Sequence, residues 1–327
     1  MSETPDWAER CLPVIAQLAD GAVRSGESLC AELGITRAAL WKRIQHLPEL
    51  GVDFRALKGR GYHLLTPVEL LDAGRIDAAL AAIGAVPRPR YSLLALTDST
   101  NARARELAHG AAVLAEWQSH GRGRHGRSWH SPFGASVYLS YRWRFERAPA
   151  ELAGLGIALG IAAAEALVAM GAQGIGIKWP NDLVAGGRKL GGMLIELVGE
   201  AYGPCEVVAG IGVNLSLPDR IASSIDQPVT DLARQCPVPP SRNALAAQLL
   251  WRWRQALEHY AKEGLSASIT RWPAFDVLDG REVVIHQGRR ETHGRAAGIE
   301  PNGALRLWRD GMIETYAAGE VSVRRRK

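Results

Sequence analysis

The chain lacks any C-x-x-C pair, any G-x-x-x-x-G-K-[ST] phosphate loop and any clean secretory leader, and each absence removes a class of protein. Cys11, Cys30, Cys205 and Cys236 are scattered without metal-ligand spacing, so they read as free thiols in a reducing cytosol. The acidic residues likewise form no cluster that marks a fixed metal site. The first ten residues are polar and acidic, with Glu3, Asp6 and Glu9, and no signal peptide is expected. The least polar long run, 152–170, is mostly Ala and Gly and contains Glu165, which predicts a packed helix rather than a membrane span.

What is present is ordinary globular material: 327 residues, 47% hydrophobic and 22% charged, with room for about two or three domains and no prospect of global disorder. A net charge of +5 permits anionic partners without locating them. The most informative stretch is Gly121-Arg122-Gly123-Arg124-His125-Gly126-Arg127, followed by Trp129, Pro132, Phe133 and Gly134. Glycines let a backbone turn tightly and show its N–H groups, and Arg122, Arg124 and Arg127 add charge that suits a phosphate or carboxylate. The spacing mimics the dinucleotide fingerprint, but a strand-like segment at 136–145 follows instead of a helix, so a Rossmann reading fails on context. A plain basic surface loop is the competing reading.

Residues 1–66 carry a small-domain pattern: helices at 7–18, 25–33 and 36–47, with Gly34 between the last two. Thr36 is placed to cap the third helix, and Leu40, Ile44 and Leu47 give it one buried stripe. Its opposite face offers Arg37, Trp41, Lys42, Arg43 and Gln45 to a major groove. Two short strands, 52–57 and 62–65, flank a basic turn with Lys58 and Arg60, which makes a wing. The whole reads as a winged helix-turn-helix that binds DNA; a protein-interaction module is the alternative, and the concentration of bases on the reader helix and wing argues against it.

After a junction at 67–90, a strand at 91–96 leads to Asp98-Ser99-Thr100-Asn101 and an expected helix at 102–109. Those hydroxyls and amides can cap that helix or grip a polar ligand head. An inner strand at 113–116 leads to Gln118. Lys178, in Lys178-Trp179-Pro180-Asn181-Asp182, sits in an apolar strand, where burial requires an anion as partner, whether a ligand or an internal ion pair. Paired strands at 183–185 and 190–197 turn at Gly186-Gly187. The strand 207–215 ends on Asn214, which either satisfies a turn or meets a ligand. A loop at 218–240, a helix at 241–263 and then four short strands between 282 and 316 complete the chain, with 324–327 as a solvated basic tail.

In this order, Asp98 to Asn101, Gln118 to Trp129, Ser131-Pro132-Phe133-Gly134, Lys178 to Asp182, Arg188-Lys189-Leu190-Gly191-Gly192 and Gly210 to Asn214 resemble the bifunctional bacterial biotin protein ligases that double as biotin operon repressors, over essentially the whole length. The resemblance implies a multidomain α+β fold: a winged helix over 1–66, a mixed sheet flanked by helices over 67–273, akin to class II aminoacyl-tRNA synthetases, and a small SH3-like barrel over 274–327. It implies ATP and biotin, with Mg²⁺, forming biotinyl-5′-AMP, then biotin transfer to a lysine of the biotin carboxyl carrier protein of acetyl-CoA carboxylase, and binding of operator DNA as a homodimer in the cytoplasm, without a membrane. Ser99, Thr100, Gln118, Gly121, Arg122 and Lys178 then fall at the biotin pocket. Arg124, Arg127, Asn214 and Val229 fall near the nucleotide, and Lys178, Arg122 and Arg124 carry the chemistry. Val229 stands where the best-known repressors supply a tryptophan, which predicts a weaker or differently organised adenylate pocket. Two alternatives stay open on sequence: a ligase whose winged helix is not a working repressor, and a ligand-sensing transcription factor without turnover.

Overall fold

A computed structural model describes residues 5–198, 203–318 and 321–325. Helix α1 (Asp6–Leu18) buries Ala8, Cys11, Val14, Ile15 and Leu18, the three-and-four spacing of one helical face. Helix α2 (Gly26–Leu33) is capped by Ser25, whose hydroxyl accepts from Ser28 N at 3.0 Å, and it ends on Gly34 at φ 62°, a left-handed position that suits glycine. Thr36 caps α3 (Arg37–His46) by accepting from Ala39 N at 3.2 Å. Strands β1 (Phe54–Leu57) and β2 (Gly61–Leu64) form the wing hairpin, and Arg24 pairs with Tyr62 as its third edge. Leu29, Leu40, Ile44, Leu47, Leu50 and Leu64 are buried beneath these elements.

Within the junction at 67–90 the chain runs extended to α4 (Ala73–Ala82), because 67–72 is taken up by hydrogen bonds to the body of the protein: Leu71 N donates to Glu116 and Asp72 N to Asn243. A seven-stranded sheet has the order β3-β4-β5-β9-β8-β7-β6. It comprises β3 (Arg90–Thr97), β4 (Ala111–Gln118), β5 (Ser136–Phe145), β6 (Ile175–Lys178), β7 (Asp182–Ala185), β8 (Arg188–Val198) and β9 (Cys205–Asn214). Only β3 and β4 run parallel. Helix α5 (Thr100–Ala104) is shorter than the expected 102–109 helix, because Leu107 and Ala108 already turn the chain back into β4.

One face of the sheet is covered by α6 (Leu155–Ala169) and α9 (Arg242–Glu263). Alternation along β5 and β9 sends Val137, Leu139, Tyr141, Val207, Ile211 and Val213 into that core. The apolar run 149–169 has the length and composition to cross a bilayer, but 72% of its window is buried inside the protein, as expected of an all-round apolar core helix. Short helices α7 (Asp219–Ser223) and α8 (Leu232–Gln235) follow β9, inside the stretch 218–240 expected as loop.

The last sheet is antiparallel, in the order β13-β12-β11-β10-β14. It is built from β10 (Glu282–Gln287), β11 (Arg290–Ile299), β12 (Leu305–Arg309), β13 (Met312–Tyr316) and β14 (Val321–Arg325). Four strands and a solvated tail at 324–327 are expected from the sequence; β14 corrects this, since the backbone at Arg324 and Arg325 pairs with Val284 and Val283 in β10. The rest of that tail lies outside the described residues. Leu278, Val283, Ile285, Leu305 and Leu307 join the same core as the large sheet, and Trp179 Nε1 donates to Gly303 O at 3.0 Å across the join.

Candidate functional site

The face of the large sheet turned away from α6 and α9 is thin. Ser136, Ser140, Gly210, Gly212 and Asn214 occupy it on β5 and β9, in register as Ser140 with Gly210 and Ser136 with Asn214, and Gly192 pairs with Gly212 beside them. A Cβ on Gly210 would lie 1.9 Å from Asn101 Oδ1, and one on Gly212 would lie 2.6 Å from the Trp129 ring. These glycines are there because Asn101, from α5, and Trp129, from the loop before β5, lie close against the strands. Above this floor opens a cavity of about 650 Å³.

One end of the cavity is a buried hydrogen-bond relay. Thr100 N and Oγ1 donate to Gln118 Oε1 at 2.8 and 3.1 Å, and Gln118 Nε2 donates to Ser131 Oγ at 2.8 Å. Ser140 Oγ donates to Thr100 Oγ1 at 2.9 Å. Ser99 occupies the cap position of α5, yet its side chain makes no cap hydrogen bond, so the capping alternative for this motif fails. Thr100 turns to Gln118 instead, and Ser99, Thr100 and Gln118 all line the cavity. Ser131, Ser140, Asn101 and Glu196 were not singled out as site residues from sequence. The glycine at 210, which makes room for Asn101, was the available signal.

The glycine-arginine loop forms a wall. It folds on itself through Gly123 N to Arg127 O at 2.7 Å and Trp129 N to Gly121 O at 2.8 Å. Gly121 is buried, and a Cβ there would lie 2.5 Å from Trp129 O and 2.7 Å from Ser131 Oγ. Arg122 reaches Glu196 at 3.3 Å, a carboxylate also held by Arg105 at 2.9 Å and by Asn101 Nδ2 at 2.8 Å. Arg124 donates to Asn181 Oδ1 at 3.1 Å and to Ala318 O; burial pulls its guanidinium below its usual range, against the opposing pull of Asp182. Arg127 is exposed at the loop's tip and lines the cavity.

Opposite this wall, Lys178 at the end of β6 lines the cavity across from Asp182, its register partner on β7. Lys189, missed from sequence as a site residue, pairs with Asp182 at 2.8 Å and sits 5.5 Å over the Trp129 ring. The roof is the segment after β9. Asn214 Nδ2 donates to Thr230 O at 3.1 Å, and the residue also lines the cavity. Val229 lines the cavity from a parallel bridge with Lys189. The structure therefore brings Ser99, Thr100, Gln118, Arg122, Arg124, Arg127, Lys178, Asn214 and Val229 to one cavity, with Gly121 behind its wall.

A second surface lies on the winged helix. Arg37, Trp41, Lys42 and Gln45 are exposed on α3, Lys58 and Arg60 on the wing turn, and Thr36 is spent on the cap. Arg43 is half-buried, with its carbonyl 3.4 Å from Cys11 Sγ, so it sits at the edge of this face.

The cavity gathers five cations, Arg122, Arg124, Arg127, Lys178 and Lys189, beside a hydroxyl-amide pocket, a lining that suits an anionic group next to a polar one, in a chain that also carries a winged helix. The Biotin/lipoate A/B protein ligase family matches residues 93–214, an HTH domain matches 14–63 and the Biotin protein ligase C terminal domain matches 280–324. The chain is 42% identical to the bifunctional ligase/repressor BirA of Salmonella typhimurium over 96% of its length and 97% of that protein's. Against BirA of Escherichia coli K12 the identity is 40% over the same shares. The biotin protein ligase of Aquifex aeolicus, solved in complex with biotin and ATP, superimposes with a TM-score of 0.63 at 26% identity, covering 72% of this chain and 99% of that one. The chain belongs to the biotin protein ligase family, in its bifunctional ligase/repressor form.

Proposed function

We propose that this protein joins biotin to ATP as biotinyl-5′-AMP, transfers the biotin to a carrier-protein lysine, and represses transcription through its winged helix. The observation that carries the reading is the meeting of the Thr100–Gln118–Ser131 relay with Arg122, Arg124 and Lys178 in one cavity. In the first step a carboxylate oxygen of biotin attacks the α-phosphorus and pyrophosphate leaves. Two anions must approach, so fixed cations are worth most there. Ser99, Thr100 and Gln118 hold the polar head of biotin, with Gly121 and Arg122 closing over it. Lys178 holds the reacting carboxylate and α-phosphate, and Arg124 and Arg127 serve the phosphates. Asn214 and Val229 flank the nucleoside. In the second step the carrier's lysine nitrogen attacks the acyl carbon and AMP leaves, with no side-chain nucleophile required.

Among the described residues no group of three or more His, Cys, Asp or Glu gathers to hold a metal ion. Mg²⁺ is taken as part of the nucleotide substrate, carried on its phosphates. The carrier is the biotin carboxyl carrier protein of acetyl-CoA carboxylase. Operator DNA is read by a homodimer, because one winged helix contributes too few base contacts and two-fold symmetry doubles them.

The test is biotin-dependent exchange of pyrophosphate into ATP, with biotin omitted as control. Lys178→Ala is expected to lower exchange by about 10²-fold or more, the scale of removing one charge-stabilising donor. Full exchange by that variant would remove Lys178 from the mechanism, and absence of exchange in the intact protein would remove the ligase reading.

A further inference from the structure

The roof of the cavity hangs from one buried carboxylate. Asp231 is 1% exposed. Its Oδ2 accepts from Leu217 N at 3.0 Å, and its Oδ1 accepts from Arg234 N at 3.0 Å, which caps α8. The Arg234 guanidinium returns to the same carboxylate and also holds Asp219, in α7, at 2.5 Å. Asp231 thus ties the exit of β9, the start of α8 and, through Arg234, the start of α7. The chain between those ties supplies Ser224, Ile225, Asp226, Gln227 and Val229 to the cavity.

We infer that Asp231 is a positioning residue that holds the segment 217–230 closed over the nucleotide half of the cavity, an inference that rests on the ligase reading above. The neighbouring contacts define what the tie achieves. Lys189 N donates to Pro228 O at 2.9 Å and Thr230 N to Lys189 O at 2.8 Å, so the roof is stitched to β8 only over 228–230. Gln235 Nε2 adds one bond to Thr230 Oγ1 at 3.0 Å. The part before it, with Ile225 to Gln227, is held at its base by Asp231 and, through α7, by Arg220, which donates to Pro48 O at 3.0 Å. A short polar acceptor that caps a helix and binds a second backbone N–H closes a loop at little entropic cost. Its removal leaves the buried Leu217 N–H and the part-buried Arg234 N–H without their acceptor. The thiols, the exposed apolar residues of β12 and β13, and the groove behind the glycine-arginine loop offer no comparable set of converging contacts.

The experiment measures pyrophosphate exchange at varied ATP and varied biotin for the intact protein, Asp231→Ala and Asp231→Asn, with thermal unfolding of each. Asp231→Ala is expected to raise the KM for ATP about tenfold, the effect of losing one or two such bonds, while the KM for biotin changes less than twofold. Asp231→Asn keeps the size and one acceptor oxygen, so it should fall between the two. It also serves if the alanine variant fails to fold. Folded variants whose ATP KM stays within twofold of the intact protein, or whose two KM values rise together, overturn the inference while leaving the ligase reading in place. Absence of biotin-dependent exchange in the intact protein removes the reading, and the inference with it.

Discussion

At the scale of single residues, the site is set by where side chains are missing as much as by where they are charged. Gly212 lets the Trp129 ring lie on β9, with Lys189 above it. We expect Gly212→Ala, whose Cβ would sit 2.6 Å from that ring, to displace Trp129 and lower kcat/KM for exchange by about tenfold or more, because close packing does not yield by an ångström without loss. The melting temperature should fall much less; an unchanged kcat/KM would show that Trp129 does not shape the site. Cys11 offers a prediction of another kind. Burial pushes its thiol from 9.0 up to about 11, with Glu49 adding to the shift and Arg43 opposing it. A raised folded-state value means that the unfolded chain releases its proton first. The contribution of this thiol to the stability of the winged helix is therefore fully present below pH 9 and is lost as pH rises toward 11. Denaturant titrations across that window should show the loss, and Cys11→Ala should flatten it.

At the scale of elements, α3 carries a division of labour that its sequence states plainly. Leu40 and Ile44 are buried, while Arg37, Trp41, Lys42 and Gln45 face out. Lys42→Ala should weaken DNA binding about equally across sequences and flatten the salt dependence by about one unit of slope, the signature of a lost phosphate contact. Gln45→Ala should instead relax discrimination at one base pair by about 1–3 kcal/mol. Binding titrations at several salt concentrations separate these outcomes, and a Lys42→Ala protein with unaltered slope would place that lysine off the DNA. Strand β4 shows what periodicity leaves unread. Glu116 turns to the buried Arg242, Trp117 joins the winged-helix core and Gln118 belongs to the cavity. Three consecutive residues thus serve three different parts of the molecule, which an alternating pattern marks only as in or out.

At the scale of the whole molecule, the cavity and the DNA-binding domain share a wall. Ser131 accepts from Gln118 in the relay, and two residues later Phe133 is buried in the winged-helix core, its N–H donating to Leu50 O at 2.8 Å. Pro132 sits so close to Gly51 that a Cβ there would come within 2.4 Å of it. Phe133→Ala should cost about 3–5 kcal/mol at this junction and loosen one body from the other. Calorimetry should then resolve two unfolding transitions; a single cooperative transition would mean that the remaining contacts suffice to couple them.

The sequence alone determined the winged helix and the order of the motifs, because caps, stripes and glycine turns are local signals with fixed spacing, while the residues named for the cavity came from the family resemblance those motifs carry. The register of β5 with β9, the flat seat of Trp129, the roles of Lys189, Glu196 and Asp231, and the fifth strand of the last sheet were decided only in three dimensions. Each depends on a partner distant along the chain: Asn101 meets Glu196, Lys178 lines the same cavity as Arg124, and β14 closes on β10. No spacing records such pairs, since it is the packing of the sheet that chooses which polar groups face each other across it.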